Sequence, residues 1–145
     1  MSRFGLALLA LLALGLPIGG TRADDGKAAL GATTAVILKS SRTADGGALT
    51  YPEGGTPEII TALVTLEAGG RTALHEHPGP VVAYILEGDL TVKEEGNEPR
   101  TYHAGESFLE TVGHWHQGFN AGTTPVKILA VFLGQEGQPT TVLKN

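Results

Sequence analysis

With no cysteine among its 145 residues, the chain can close no disulfide, run no thiolate chemistry and build no cysteine-based zinc site. Its 15 acidic residues outnumber 10 basic ones for a net charge of −5, a sign that opposes nucleic-acid binding, which rests on Lys and Arg neutralising phosphates. The length suits a single domain.

The opening reads as a targeting segment. Met1-Ser2-Arg3 is a short basic start, Phe4 to Leu16 is almost unbroken Leu and Ala, and Thr21-Arg22-Ala23 offers a small-residue cleavage site before Asp24. Residues 1–23 are therefore expected to be a signal peptide, and the protein periplasmic or secreted. The apolar run is shorter than the roughly 20 residues a membrane span needs, and Gly15, Pro17, Gly19 and Gly20 interrupt its end. No span is expected after cleavage. Loss of Arg3 and Arg22 reduces the 10 basic residues to 8 against 15 acidic, a net charge of −7.

Residues 24–33 are small and polar and read as a flexible lead. A single domain is expected from 34 to 145. Thr34 to Lys39 is the first β-branched apolar run and predicts a strand. Gly46-Gly47 breaks the chain, and Leu49 to Tyr51 reads as a short edge strand stopped by Pro52. Ile59 to Leu66 is the longest β-rich run, and its nearly continuous apolar character predicts a central strand. Gly69-Gly70 turns the chain into a segment carrying His75 and His77. Val81 to Leu86 and Leu90 to Lys93 read as a hairpin around Glu87-Gly88-Asp89. Short strands are expected at Arg100 to His103, at Ser107 to Thr111 and around His116, and a long one at Val126 to Leu133. Many short strands, close turns and no convincing helix argue for an all-β sandwich or barrel.

His75 and His77 share a face if the segment is extended, because side chains two apart point the same way. Two imidazoles aimed at one point are half of a transition-metal site. An HxH pair by itself is more often a solvated loop. The spacing of Gly69, His75, His77 and Gly88, followed by Gly105, Gly113, His116 and Asn120, makes the pattern specific. Together these residues resemble the two motifs of the cupin superfamily, G-x5-H-x-H-x3-E-x6-G and G-x5-P-x-G-x2-H-x3-N. The likeness runs from about Ile59 to Phe132, and the ending Gly134 to Pro139 is similar to that of small exported single-domain cupins. It implies a double-stranded β-helix, or jelly-roll barrel, over residues 34–145. It also implies one divalent transition metal (Fe, Mn, Ni, Cu or Zn) on His75, His77 and His116.

Two positions depart from the motifs. Val81 stands where the family's glutamate ligand belongs, and Thr111 replaces the second motif's proline. Alternation puts Glu110 on the same strand face as Phe108, and the residue before that proline faces the barrel interior in cupins. Glu110 is thus the candidate replacement carboxylate, either ligating the ion or bonding a His N–H; a surface ion pair or bulk water are its plainer fates. His114, two residues before His116, is a second candidate for a catalytic or ligating role, with a position on the barrel rim as the alternative. His103 reads as solvated, and Trp115 as a packing or subunit-contact residue. Phe108, Leu63, Val81 and Ile85 are candidates for an apolar lining or plain core.

No Ser-His-Asp or Cys-His arrangement competes with this site, and no glycine-rich loop leads into a helix. Two functions stay open: a metal-dependent oxygenase- or isomerase-type enzyme acting on a small molecule, and a small-molecule-binding module without turnover, metal-supported or metal-free. The resemblance also implies a homodimer.

Overall fold

A computed structural model describes residues 33–144; the expected signal peptide at 1–23 and most of the expected lead lie outside the described residues. The described chain is all β. Its strands are β1 (Pro57–Leu66), β2 (His75–Glu76), β3 (Val81–Glu87), β4 (Asp89–Glu94), β5 (Arg100–His103), β6 (Ser107–Leu109), β7 (His116–Phe119), β8 (Val126–Gln135) and β9 (Val142–Leu143). They form two antiparallel sheets, ordered β1-β8-β3-β6 and β5-β4-β7-β2-β9, which make the expected jelly roll. Among the described residues no helix is long and apolar enough to cross a membrane.

The register of the four-stranded sheet explains what faces inward. Alternation along β3 buries Val81, Ala83 and Ile85, and their cross-strand partners share that face. Three inward rows result: Ile60, Phe132 and Val81; then Ala62, Ala130, Ala83 and Phe108; then Val64, Ile128 and Ile85. The last rows merge with Leu66, Leu90, Tyr102 and Val126 into the core. Within it the Tyr102 and Phe108 rings stack at 3.7 Å with 7° between their planes. Burying a side chain such as Ile85 contributes about 1.5–3 kcal/mol. The row at Phe132 and Val81 lies at the opposite end, and there the histidines gather.

Two glycines hold this arrangement where no other residue fits well. Gly88 has φ +76°, and a Cβ there would lie 2.9 Å from the Pro125 carbonyl oxygen; it makes the β3–β4 turn. Gly113 has φ +70°, and its N–H donates to the His77 carbonyl at 2.9 Å, which ties the two motif segments together. Asn120 is buried as well. Its Nδ2 lies 2.8–3.0 Å from the carbonyls of Leu66, Glu67 and Thr124, and its Oδ1 accepts from the Gly122 N–H at 2.9 Å. That motif residue fastens a loop and takes no part in the site.

Three expectations change. The run at 34–39 forms no strand; Ala35 to Leu38 instead borders a groove on the outer sheet face with Val82, Tyr84, Leu129 and Val131. Tyr51 belongs to no strand and is exposed. β1 is an edge, since it pairs only with β8. Its continuous apolar character reflects an outer face that is itself apolar, with Ile59 69% and Leu63 63% exposed. Leu63 therefore lines no interior pocket.

Candidate metal centre

The short β2 carries His75, and His77 continues it through a bridge to Val112. β2 pairs with β7 so that His75 lies opposite His116. Glu110 directly follows β6, and its N–H donates to the Val81 carbonyl at 2.9 Å. The carboxylate thereby extends the inward row of Phe132 and Val81. One donor atom from each of His75, His77, Glu110 and His116 lies within 4.8 Å of the others. The ring centroids are 4.4–5.1 Å apart. His77 and His116 are each 4% exposed.

The hydrogen bonds fix the tautomers. Nδ1 of His75 lies 2.7 Å from the Ala73 carbonyl, Nδ1 of His77 2.7 Å from that of Thr140, and Nδ1 of His116 2.8 Å from that of His114. A carbonyl only accepts, so each Nδ1 carries the proton and each neutral ring keeps its lone pair on Nε2. Yet a single Glu110 oxygen, Oε2, lies 3.0 Å from Nε2 of His77 and 3.1 Å from Nε2 of His116. Lone pairs facing a carboxylate at that distance repel unless a cation stands among them. The cation can be a proton, making a ring imidazolium, or a metal ion.

Electrostatics reflect the same demand. Burial pushes the Glu110 carboxyl up, but hydrogen bonds from His116 and His77 outweigh it and hold the group at about 2. Burial lowers His116, yet the Glu110 carboxylate overrides it and the ring is raised above its ordinary value. His75 is held below its ordinary value, chiefly by burial, which favours the neutral form that ligates. Three neutral imidazoles and one ionised carboxylate, each imidazole oriented from behind by a backbone carbonyl, fit a divalent transition metal. Such an ion would supply Lewis acidity or redox chemistry.

The other candidates lie elsewhere. The His114 ring is half exposed and 3.8 Å from Asp45 Oδ2, outside the four-donor group; only its carbonyl serves the site, as partner to His116. His103 is exposed and bonds Asp89 at 2.8 Å. Trp115 is partly buried, with Lys144 Nζ 5.3 Å from its ring centroid. Sequence reasoning missed β9 and the segment before it. β9 pairs with β2, the Thr140 carbonyl orients His77, and Thr141 and Leu143 line the cavity. A two-residue strand carries no periodic signal, and a backbone acceptor carries no residue type.

The donors open into a cavity of about 240 Å³ between the sheets, walled mainly by aliphatic side chains. A jelly roll that gathers three histidines and a glutamate at one end of its barrel defines a metal-capable β-barrel protein. Residues 62–132 match the family described as the cupin domain, and the chain is a small member of the cupin superfamily.

Solved structures agree on the fold. The chain aligns with an oxalate oxidase in complex with the substrate analogue glycolate at 26% identity and a TM-score of 0.51, over 59% of this chain and 45% of that one. The DMSP lyase DddQ from Ruegeria pomeroyi aligns at 24% identity and a TM-score of 0.52, over 59% of this chain and 43% of the lyase. An uncharacterised double-stranded β-helix protein from Klebsiella pneumoniae aligns at 18% identity and a TM-score of 0.52, over 65% and 89%. The chain thus spans under half the length of the two enzymes. No curated protein matches it.

Proposed function

We propose that this protein holds one divalent transition metal on His75, His77, His116 and Glu110, and uses the ion to bind and transform a small molecule in the adjoining cavity. The observation that carries this reading is the convergence of Nε2 of His77, Nε2 of His116 and Glu110 Oε2 with both Nδ1 protons already committed to carbonyls. Likeness to an oxalate oxidase, an enzyme, supports turnover over passive binding. The alternative is a binding module that uses the same ion without turnover. It is favoured by Val81, because the family's motif glutamate is missing and the candidate replacement comes from the residue after β6.

The protein is proposed to work in the periplasm or outside the cell, on the strength of the signal-like residues 1–23. It is also proposed to form a homodimer through the outer face of the four-stranded sheet. Support comes from the exposed Ile59 and Leu63 on the edge strand β1, since an open apolar edge invites pairing.

Elemental analysis of protein purified from the exported fraction tests the metal reading. About one equivalent of a transition metal per chain is expected, with loss of that equivalent in His116→Ala. A His116→Ala variant that keeps its metal in full would refute the site.

A further inference from the structure

The cavity beside the four donors is unusual in what its walls omit. Its lining is aliphatic or aromatic at Val64, Leu90, Val92, Ile128, Phe132 and Leu143, and beyond the donors its side-chain polar groups are the hydroxyls of Thr72 and Thr141. Among the described residues no Lys or Arg lines it. Three lysines are engaged outside the cavity. Lys93 Nζ lies 4.7 Å from the Phe119 ring centroid, Lys127 pairs with Glu87 at 3.0 Å, and Lys144 pairs with Glu95. Glu110 is the one charged side chain in the lining.

Charge and volume then limit the occupant. A divalent ion on three neutral imidazoles and one carboxylate retains a single positive charge. One negative oxygen group on a ligand neutralises it. A second, lying against the buried Leu90 and Ile128, would have no cation or dedicated donor, and an unpaired buried charge is strongly disfavoured. At about 30 Å³ for each water-sized group, a volume near 240 Å³ takes a molecule of roughly eight non-hydrogen atoms. Such sites are mostly apolar, with few polar groups to orient the ligand.

We infer that the cavity takes a small singly charged oxygen acid, a monocarboxylate or enolate, whose aliphatic body lies against Leu90, Val92 and Ile128, and that it rejects dicarboxylates. This rests on the metal reading above and assigns the ligand class of that site. The relevant difference lies in the walls, because the four donors treat the acid end of either ligand alike. The polar hydroxyls of Thr72 and Thr141 are too few to replace the hydration shell of a second carboxylate.

Isothermal titration of the zinc-loaded full-length protein with pentanoate and with glutarate, which differ in whether the far end is a methyl or a carboxylate, tests it. Pentanoate is expected to bind, and glutarate at least about 100-fold more weakly, the order of an unpaired charge in an apolar site. Leu90→Ala, which enlarges the wall far from the donors, is expected to weaken pentanoate about 10-fold, as loss of apolar contact predicts, with zinc stoichiometry unchanged. Full zinc occupancy with glutarate bound as tightly as pentanoate, or with neither bound, would overturn this inference alone. A protein that takes up no zinc would overturn the metal reading and this inference together.

Discussion

Val81 and Glu110 are neighbours on the inner face of the barrel, joined by the hydrogen bond from the Glu110 N–H to the Val81 carbonyl at 2.9 Å. The carboxylate that the first cupin motif places at position 81 has in effect moved one strand sideways, to the residue after β6. Val81 is 1% exposed and fills the space beneath as plain core. Removing a carboxylate from β3 thus costs the site no negative charge.

Glu110→Gln keeps the shape of the side chain and removes its charge. Each Nδ1 proton is already bonded to a carbonyl and the carboxylate faces Nε2, on the side where the ion would sit, so metal affinity is expected to fall by at least about 10- to 100-fold. Val81→Glu combined with Glu110→Gln is expected to recover part of that loss, because both positions lie in the same inward row. Competition titration with a chelator measures both. No recovery in the double variant would show that the two positions address different points.

Thr111 sits beside this group, 3% exposed, with a side-chain oxygen that has no hydrogen-bond partner. A buried hydroxyl without a partner costs about 1–3 kcal/mol. Thr111→Val is expected to raise stability by about 1 kcal/mol, read as a higher denaturation midpoint with an unchanged slope. Clear destabilisation would mean that the hydroxyl is satisfied by an ordered water.

In the metal-free protein the Glu110–His116 pair gives a pH signature. Glu110 is depressed, so its contribution is present above its ordinary value of 4.5 and lost as pH falls toward about 2. His116 is raised, so its contribution is present below its ordinary value of 6.5 and lost as pH rises through the folded value. His77 faces the same oxygen and Glu94 acts on His116 from β4. His75, depressed chiefly by burial, works in the opposite sense, favouring the fold above 6.5. Comparison with Glu110→Gln removes most of that background. The difference in Tm between the metal-free wild type and Glu110→Gln is expected to be largest between about pH 4.5 and 6.5 and to shrink on either side. With metal bound the gain is expected to grow with pH, because protons and the ion compete for Nε2. A wild-type advantage that keeps rising above pH 7 without metal would contradict the pairing.

Much of this was legible in the sequence, for reasons that differ by residue. Glycine spacing located the turns, since Gly88 and Gly113 adopt positive φ, and two-residue alternation turned His75 and His77 to one face. The same alternation put Glu110 inward. It misled at β1, because an apolar outer face gives the same continuous pattern as a strand buried on both sides. It also overrated Thr34 to Lys39, whose apolar residues border a groove without joining a ladder. His114 shares spacing with His116, but it precedes β7 in sequence, so the strand rule does not govern its ring. The carbonyls of Ala73, His114 and Thr140 that set the tautomers could not be read from residue types at all.

X-ray absorption spectroscopy of the cobalt- or zinc-loaded protein tests the central claim most directly, because it reads the ligands around the ion itself. The account predicts one ion per chain with multiple-scattering features of three imidazoles and a light oxygen shell, and no such bound-ion spectrum from His116→Ala, which loses the ion. An oxygen-only shell, or a spectrum unchanged by His116→Ala, would contradict it.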